Sequence, residues 1–136
     1  MDLLELSATA LSRLIAAREV KPSEVMEATL ARVAAVNGTV NAIVSMPDGD
    51  ALMDQARAAD GATRAGWLHG VPMAVKDLMA VQGIRTTWGS PLFADHVPEK
   101  DDLLVARMRR RGRFSSARPI RRNGGMGAIP STRCMG

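Results

Sequence analysis

The sequence predicts an α/β fold that is rich in helix at its start, and three observations carry that expectation. Two early segments place apolar residues at helical spacing behind serine caps. A short apolar run, residues 71–75, is bounded by Gly70 and Pro72 on one side and by charge on the other, as a buried strand would be. A later segment starting at Asp101 or Asp102 has acids at its head and arginines at its tail, in agreement with a helix dipole at both ends.

Taken in order, Ser7 can cap a first helix whose apolar positions Leu11, Leu14 and Ile15 fall on one face, with an end expected near Val20. Ser23 offers a second cap with Pro22 just outside it. Met26, Leu30 and Val33 then repeat at i, i+4 and i+7 up to Asn37-Gly38, a natural helix stop. The two form a helical hairpin. Residues 40–45 are strand-like, and Pro47-Asp48-Gly49 is a turn after them. Asp50 then caps an alanine-rich helix through about Ala59, which Asp60-Gly61 breaks.

The run 71–75 ends on Lys76. An ammonium in apolar surroundings is costly unless paired, and burial is how proteins turn a lysine into a base. On these residues alone Lys76 is either such a base or a strand-end lysine with its stem on the core and its amine in water. Gln82-Gly83 turns the chain. Residues 86–90, Thr-Thr-Trp-Gly-Ser, form a polar loop of the kind found beside sites, although both threonines could equally satisfy their own backbone turn. The final helix carries Leu104, Val105 and Met108 and stops at Gly112.

At 136 residues the chain suits one domain with a modest core. Its net charge of +4 is unevenly placed, because residues 113–136 hold five arginines and no acid and leave residues 1–112 at −1. A single cysteine, Cys134, excludes an internal disulfide framework and fits a reducing compartment. The start, Met1-Asp2-Leu3-Leu4-Glu5, lacks the basic and apolar regions of a signal peptide, and no apolar run is long enough to span a bilayer, so a cytoplasmic location is expected. His69 and His96 lack ligand neighbours at metal spacing and read as structural residues. No carboxylate pair suggests acid–base work and no glycine loop is placed to cradle phosphate, so neither a metal nor a cofactor is expected.

The words around Lys76 are more specific than the composition. Leu68-His69-Gly70-Val71-Pro72-Met73-Ala74-Val75-Lys76-Asp77-Leu78, with Gly66 ahead of it and Thr86-Thr87-Trp88-Gly89-Ser90 behind it, resembles the amidase signature family. Members of that family typically read G-x-L-x-G-(V/I)-P-x-(A/G)-(V/I)-K-D and then T-T-x-G-S. The helices before the first strand, and the segment ending at Gly112, are also similar to that family's opening. The resemblance implies the N-terminal portion of an α/β hydrolase acting on the carbon–nitrogen bond of amides through a Ser–cis-Ser–Lys triad. Lys76 would be the triad lysine, relaying a proton through the bridging serine to activate the nucleophile. It further implies a small-molecule amide as substrate and leaves the substrate-binding residues unassigned.

The resemblance stops at Gly112. The two serines belong to a Gly-Gly-Ser-Ser-Gly-Gly segment that residues 1–136 do not contain. After Gly112 the family continues A-x-(I/V)-x-G-K-T-N-x-P-E-(F/W)-G, whereas this chain has residues 113–136, rich in arginine, serine, glycine and proline, with no helical or strand period. Translated back through permitted codons and re-read one nucleotide out of register, residues 114–125 become (I/V)-L-I-G-K-T-N-T-P-E-W-G, which is the missing family segment. The expected organisation is therefore a partial amidase domain, 1–112, followed by a disordered, out-of-frame tail, 113–136. Apolar faces at Leu11, Leu14, Met26, Leu30, Val71 and Val75 would then lack cover.

Three functions follow from this reading. The chain is an inactive remnant of an amidase that keeps Lys76; or a non-catalytic interaction piece related to an amidotransferase A subunit; or a nucleic-acid binder through its arginine tail. The last has charge for phosphate contacts but only Phe114 for stacking.

Overall fold

The computed structural model describes residues 1–112 and the backbone of 114–119. Its elements are α1 (Ala8–Ala16), α2 (Pro22–Val40), β1 (Ile43–Ser45), α3 (Gly49–Asp60), β2 (Pro72–Ala74), a 3-10 turn (Pro91–Phe93), α4 (Leu103–Arg110) and β3 (Phe114–Pro119). The three strands form one mixed sheet in the order β1-β3-β2, with β3 antiparallel to β1 and parallel to β2.

The caps explain where the helices begin and end. Ser7 Oγ accepts from the Ala10 amide at 3.2 Å and starts α1, as its sequence implies. The helix stops at Ala16, four residues short of Val20. Arg18 enters the left-handed region there, at φ 60°, while its amide and that of Glu19 bond back to Ile15 and Leu14, closing a Schellman turn. For α2 the cap is Lys21 and not Ser23, and Pro22 lies inside the first turn, where its missing N–H costs nothing. The Ser23 amide and hydroxyl instead donate to Asp60 at the end of α3, at 2.9 and 2.7 Å. Helix α2 also runs through Asn37-Gly38. A glycine inside a helix is a cost and not a stop, and the turn comes at Asn41, which adopts φ 45°. The Asn37 side chain then pairs with both main-chain groups of Ile43, at 2.7 and 2.9 Å, and so sets β1 against the helix.

Packing corrects the expectation of uncovered apolar faces. Leu11, Ile15, Val20, Val25, Leu68 and Val71 bury one another between α1, the start of α2 and the approach to β2. Met26 packs with Leu52 and Ala56 where α2 crosses α3, each fully buried. At roughly 1.5–3 kcal/mol for each large side chain removed from water, this helix pair contributes several kcal/mol. A third cluster, Val75, Val81, Ile84 and Val105, joins the end of β2 to α4. Leu14 and Leu30 are partly covered by these clusters. The exposed apolar surface lies elsewhere, at Leu92 (90 % exposed) and Leu103 (63 %).

The centre of the sheet is the other departure. Phe114–Pro119 has no strand period in sequence, yet it forms β3 between two short strands. Main-chain pairing does not depend on side-chain pattern, and β1 and β2 each offer an edge whose N–H and C=O groups need partners. Both ladders shift register, at Met73/Ala74 and within Ile43–Ser45. Beyond Pro119 the basic tail, including Cys134, lies outside the described residues.

Candidate functional site

Two close backbone approaches position the segment that carries Lys76. Gly70 has φ 78° and donates its N–H to the Gly112 carbonyl at 2.9 Å, so the chain enters β2 pinned to the end of α4. A Cβ at Gly70 would stand 2.5 Å from Pro22 Cγ, so only glycine lets the chain pass the first turn of α2. Gly112, at φ 69°, sits in the same way against the buried His69 ring.

From this anchor the chain runs through β2 to Val75, 2 % exposed, and then to Lys76 and Asp77. Lys76 does not lie in a buried strand, as its apolar neighbours suggest. Strand β2 ends at Ala74, and the lysine follows it as an exposed residue at the start of a turn, its carbonyl accepting from Leu78 at 2.7 Å and Met79 at 3.2 Å. Among the described residues β2 pairs with β3 alone.

Asp77 is the buried member of the pair, 4 % exposed. Its carboxylate accepts the Thr87 amide at 3.0 Å and the Thr87 hydroxyl at 2.5 Å, and the same hydroxyl accepts from the Gly89 amide at 3.1 Å. The two threonines divide the possibilities left open by sequence. Thr86, fully buried, serves its own turn: its hydroxyl donates to the Ile84 carbonyl at 3.1 Å and its amide to the His96 carbonyl at 2.8 Å. Thr87 reaches across to Asp77. The loop is therefore tied to the residue next to Lys76. Sequence reasoning assigns Asp77 no role of its own, and the signal it offers is an acid directly after the lysine that ends an apolar run.

Beyond this tie, Trp88 adopts φ 49° and stacks on His96 at 5.0 Å, with Phe93 edge-on at 4.8 Å. His96 is thus packed on a ring, whereas His69 is buried beneath the α4 terminus. Among the described residues no group of His, Cys, Asp or Glu is placed to hold a metal ion. No helix among them is long and apolar enough to cross a membrane.

The family model described as "Amidase" matches residues 24–128, sixteen residues beyond Gly112, where the sequence reading ends the resemblance. The chain belongs to the amidase family. Its similarity extends to individual amidases and related enzymes. The chain is 38 % identical over 110 residues to an acylamidase of Rhodococcus erythropolis, covering 79 % of this chain and 23 % of that protein. It is 40 % identical over 115 residues to the glutamyl-tRNA(Gln) amidotransferase A subunit of Geobacter sulfurreducens, covering 82 % and 24 %. Among solved structures, the peptide amidase of Stenotrophomonas maltophilia superposes with a TM-score of 0.76 at 28 % identity, over 85 % of this chain and 24 % of that one. A fatty acid amide hydrolase does so with 0.78 at 26 %, over 86 % and 21 %. The fold is thus the N-terminal part of the amidase signature fold, and the chain spans about a quarter of the length of the amidases it matches.

Proposed function

We propose that this chain is the N-terminal portion of an amide hydrolase in which Lys76 is the base. The observation that supports this most directly is the tie between Asp77 and Thr87. It brings the K-D word and the T-T-x-G-S loop, ten residues apart, to one place, with Lys76 an exposed residue beside them. In the complete enzyme Lys76 would accept the proton of a bridging serine as that serine deprotonates the nucleophile. The nucleophile then attacks the amide carbonyl, the carbon–nitrogen bond breaks as Lys76 returns the proton through the bridging serine to the departing amine, and water hydrolyses the acyl-enzyme to release the acid.

Residues 1–136 contain no Gly-Gly-Ser-Ser-Gly-Gly segment, so on their own they can form no acyl-enzyme. We further infer that residues 113–136 are the out-of-frame translation of the family's G-K-T-N-x-P-E segment, and that the frame-restored product is a cytoplasmic enzyme acting on small-molecule amides. The test is to restore the frame and assay amide hydrolysis with and without Lys76→Ala. Turnover lost in the variant is expected; turnover that survives it removes Lys76 from the mechanism.

A second reading rests on the 40 % identity to a glutamyl-tRNA(Gln) amidotransferase A subunit. On that reading the frame-restored product works within an assembly, and co-expression with its partner proteins, not free amide turnover, would reveal its activity.

A further inference from the structure

A cavity of about 500 Å³ lies away from Lys76. It opens between the end of α1, the first turn of α2 and the segment after α3, and it holds Arg18, Lys21, Arg64 and His69 against one acid, Asp60. Asp60 is already engaged by the amide and hydroxyl of Ser23. The Arg64 guanidinium bonds only uncharged oxygens, those of Ser12, Gly66 and Trp67, so its positive charge meets no carboxylate among the described residues. Neither ion pair among those residues includes Arg18, Lys21 or Arg64. Leaving His69 aside, the lining carries three cations and one anion, a surplus of two positive charges in a concave site.

The backbone adds an independent observation. Arg18 occupies the left-handed position that closes α1, with φ 60°. Glycine is the usual residue there, since any Cβ is strained in that conformation. An arginine at this position accepts that strain while placing its side chain on the cavity wall. Ile15, Val20 and Ala59 contribute apolar side chains to the wall, and Thr63 a polar one.

We propose that this cavity binds an organic phosphate, its dianionic head held by Arg18 and Lys21, with the engaged Arg64 guanidinium adding charge but no free fork, and its body against the apolar side chains. The two surplus charges match a phosphomonoester dianion better than a carboxylate, and arginine forks suit phosphate oxygens. The volume lies within the range of small-molecule sites. This inference does not depend on the role assigned to Lys76.

The experiment titrates the 1–136 chain with phenyl phosphate and with benzoate at mildly alkaline pH, where the first is a dianion. It reads amide chemical shifts around residues 15–22 and 59–69 together with the shift of the unfolding midpoint. Phenyl phosphate should bind saturably, weaken with salt, and raise the midpoint. Arg18→Gly combined with Lys21→Ala should weaken it roughly tenfold or more. Arg18→Gly relieves backbone strain, so its own midpoint should be unchanged or higher, and a binding loss cannot be assigned to misfolding. Arg32→Ala combined with Arg107→Ala, an equal charge change outside the cavity, should bind as the parent does. A flat titration, equal or tighter binding of benzoate, or an unaffected double variant would each overturn the assignment.

Discussion

The Asp77 carboxylate and the Thr87 side chain form the shortest tie in the candidate site, 2.5 Å from oxygen to oxygen, and Thr87 adds its main-chain N–H to the same carboxylate at 3.0 Å. Both bonds are made where Asp77 is nearly excluded from water. Removing one partner of such a pair strands the other, which costs about 1–3 kcal/mol for a buried polar group and more for a charged one. Thr87→Val should therefore lower stability by about 2 kcal/mol, and Asp77→Asn by a similar amount. Urea unfolding of both singles and the double should show strong coupling; additive losses would mean that the tie carries no energy.

Two glycines should respond in opposite directions. Gly38 lies inside α2 with open space where a Cβ would be, so Gly38→Ala should stabilise by about 1 kcal/mol. Gly70→Ala meets both a positive φ and the Pro22 ring, and should destabilise by more than the ~1–2 kcal/mol of the left-handed conformation alone. Thermal unfolding midpoints of the two variants should fall on opposite sides of the parent's.

The 1–136 chain should hydrolyse no amide above background, since a base without a nucleophile and a bridging serine completes no acyl transfer. In the frame-restored product Lys76→Ala should lower the rate by about 10²–10⁴-fold, the usual contribution of a positioned base. Turnover by purified 1–136 that vanishes with Lys76→Ala would contradict the first half of this prediction.

The nucleotide sequence around the codon for Gly112 should reveal an insertion or deletion, net of one base modulo three. Its correction should open a frame encoding G-K-T-N-x-P-E and, some tens of codons later, a Gly-Gly-Ser-Ser-Gly-Gly-like segment. Stops in that second frame, or no such string, would require residues 113–136 to be explained as a tail in their own right.

The family and the anchoring motif were legible without coordinates, because both are strings of neighbouring residues. So were the Ser7 cap, the stop at Gly112 and the apolar stripes of α1 and α2, each set by interactions within a few positions of one another. The departures share a longer reach. Ser23 reads as a cap until Asp60, 37 residues on, takes its amide and hydroxyl. Lys76 reads as either a buried base or a strand-end lysine until β2 is seen to end at Ala74 and to leave it exposed. Residues 114–119 read as patternless until β1 and β2 offer main-chain edges. Local spacing determines which face of an element is apolar. Which polar groups meet across the fold, and which charges are left facing a cavity, depends on how elements distant in sequence pack, and only the tertiary structure decides that.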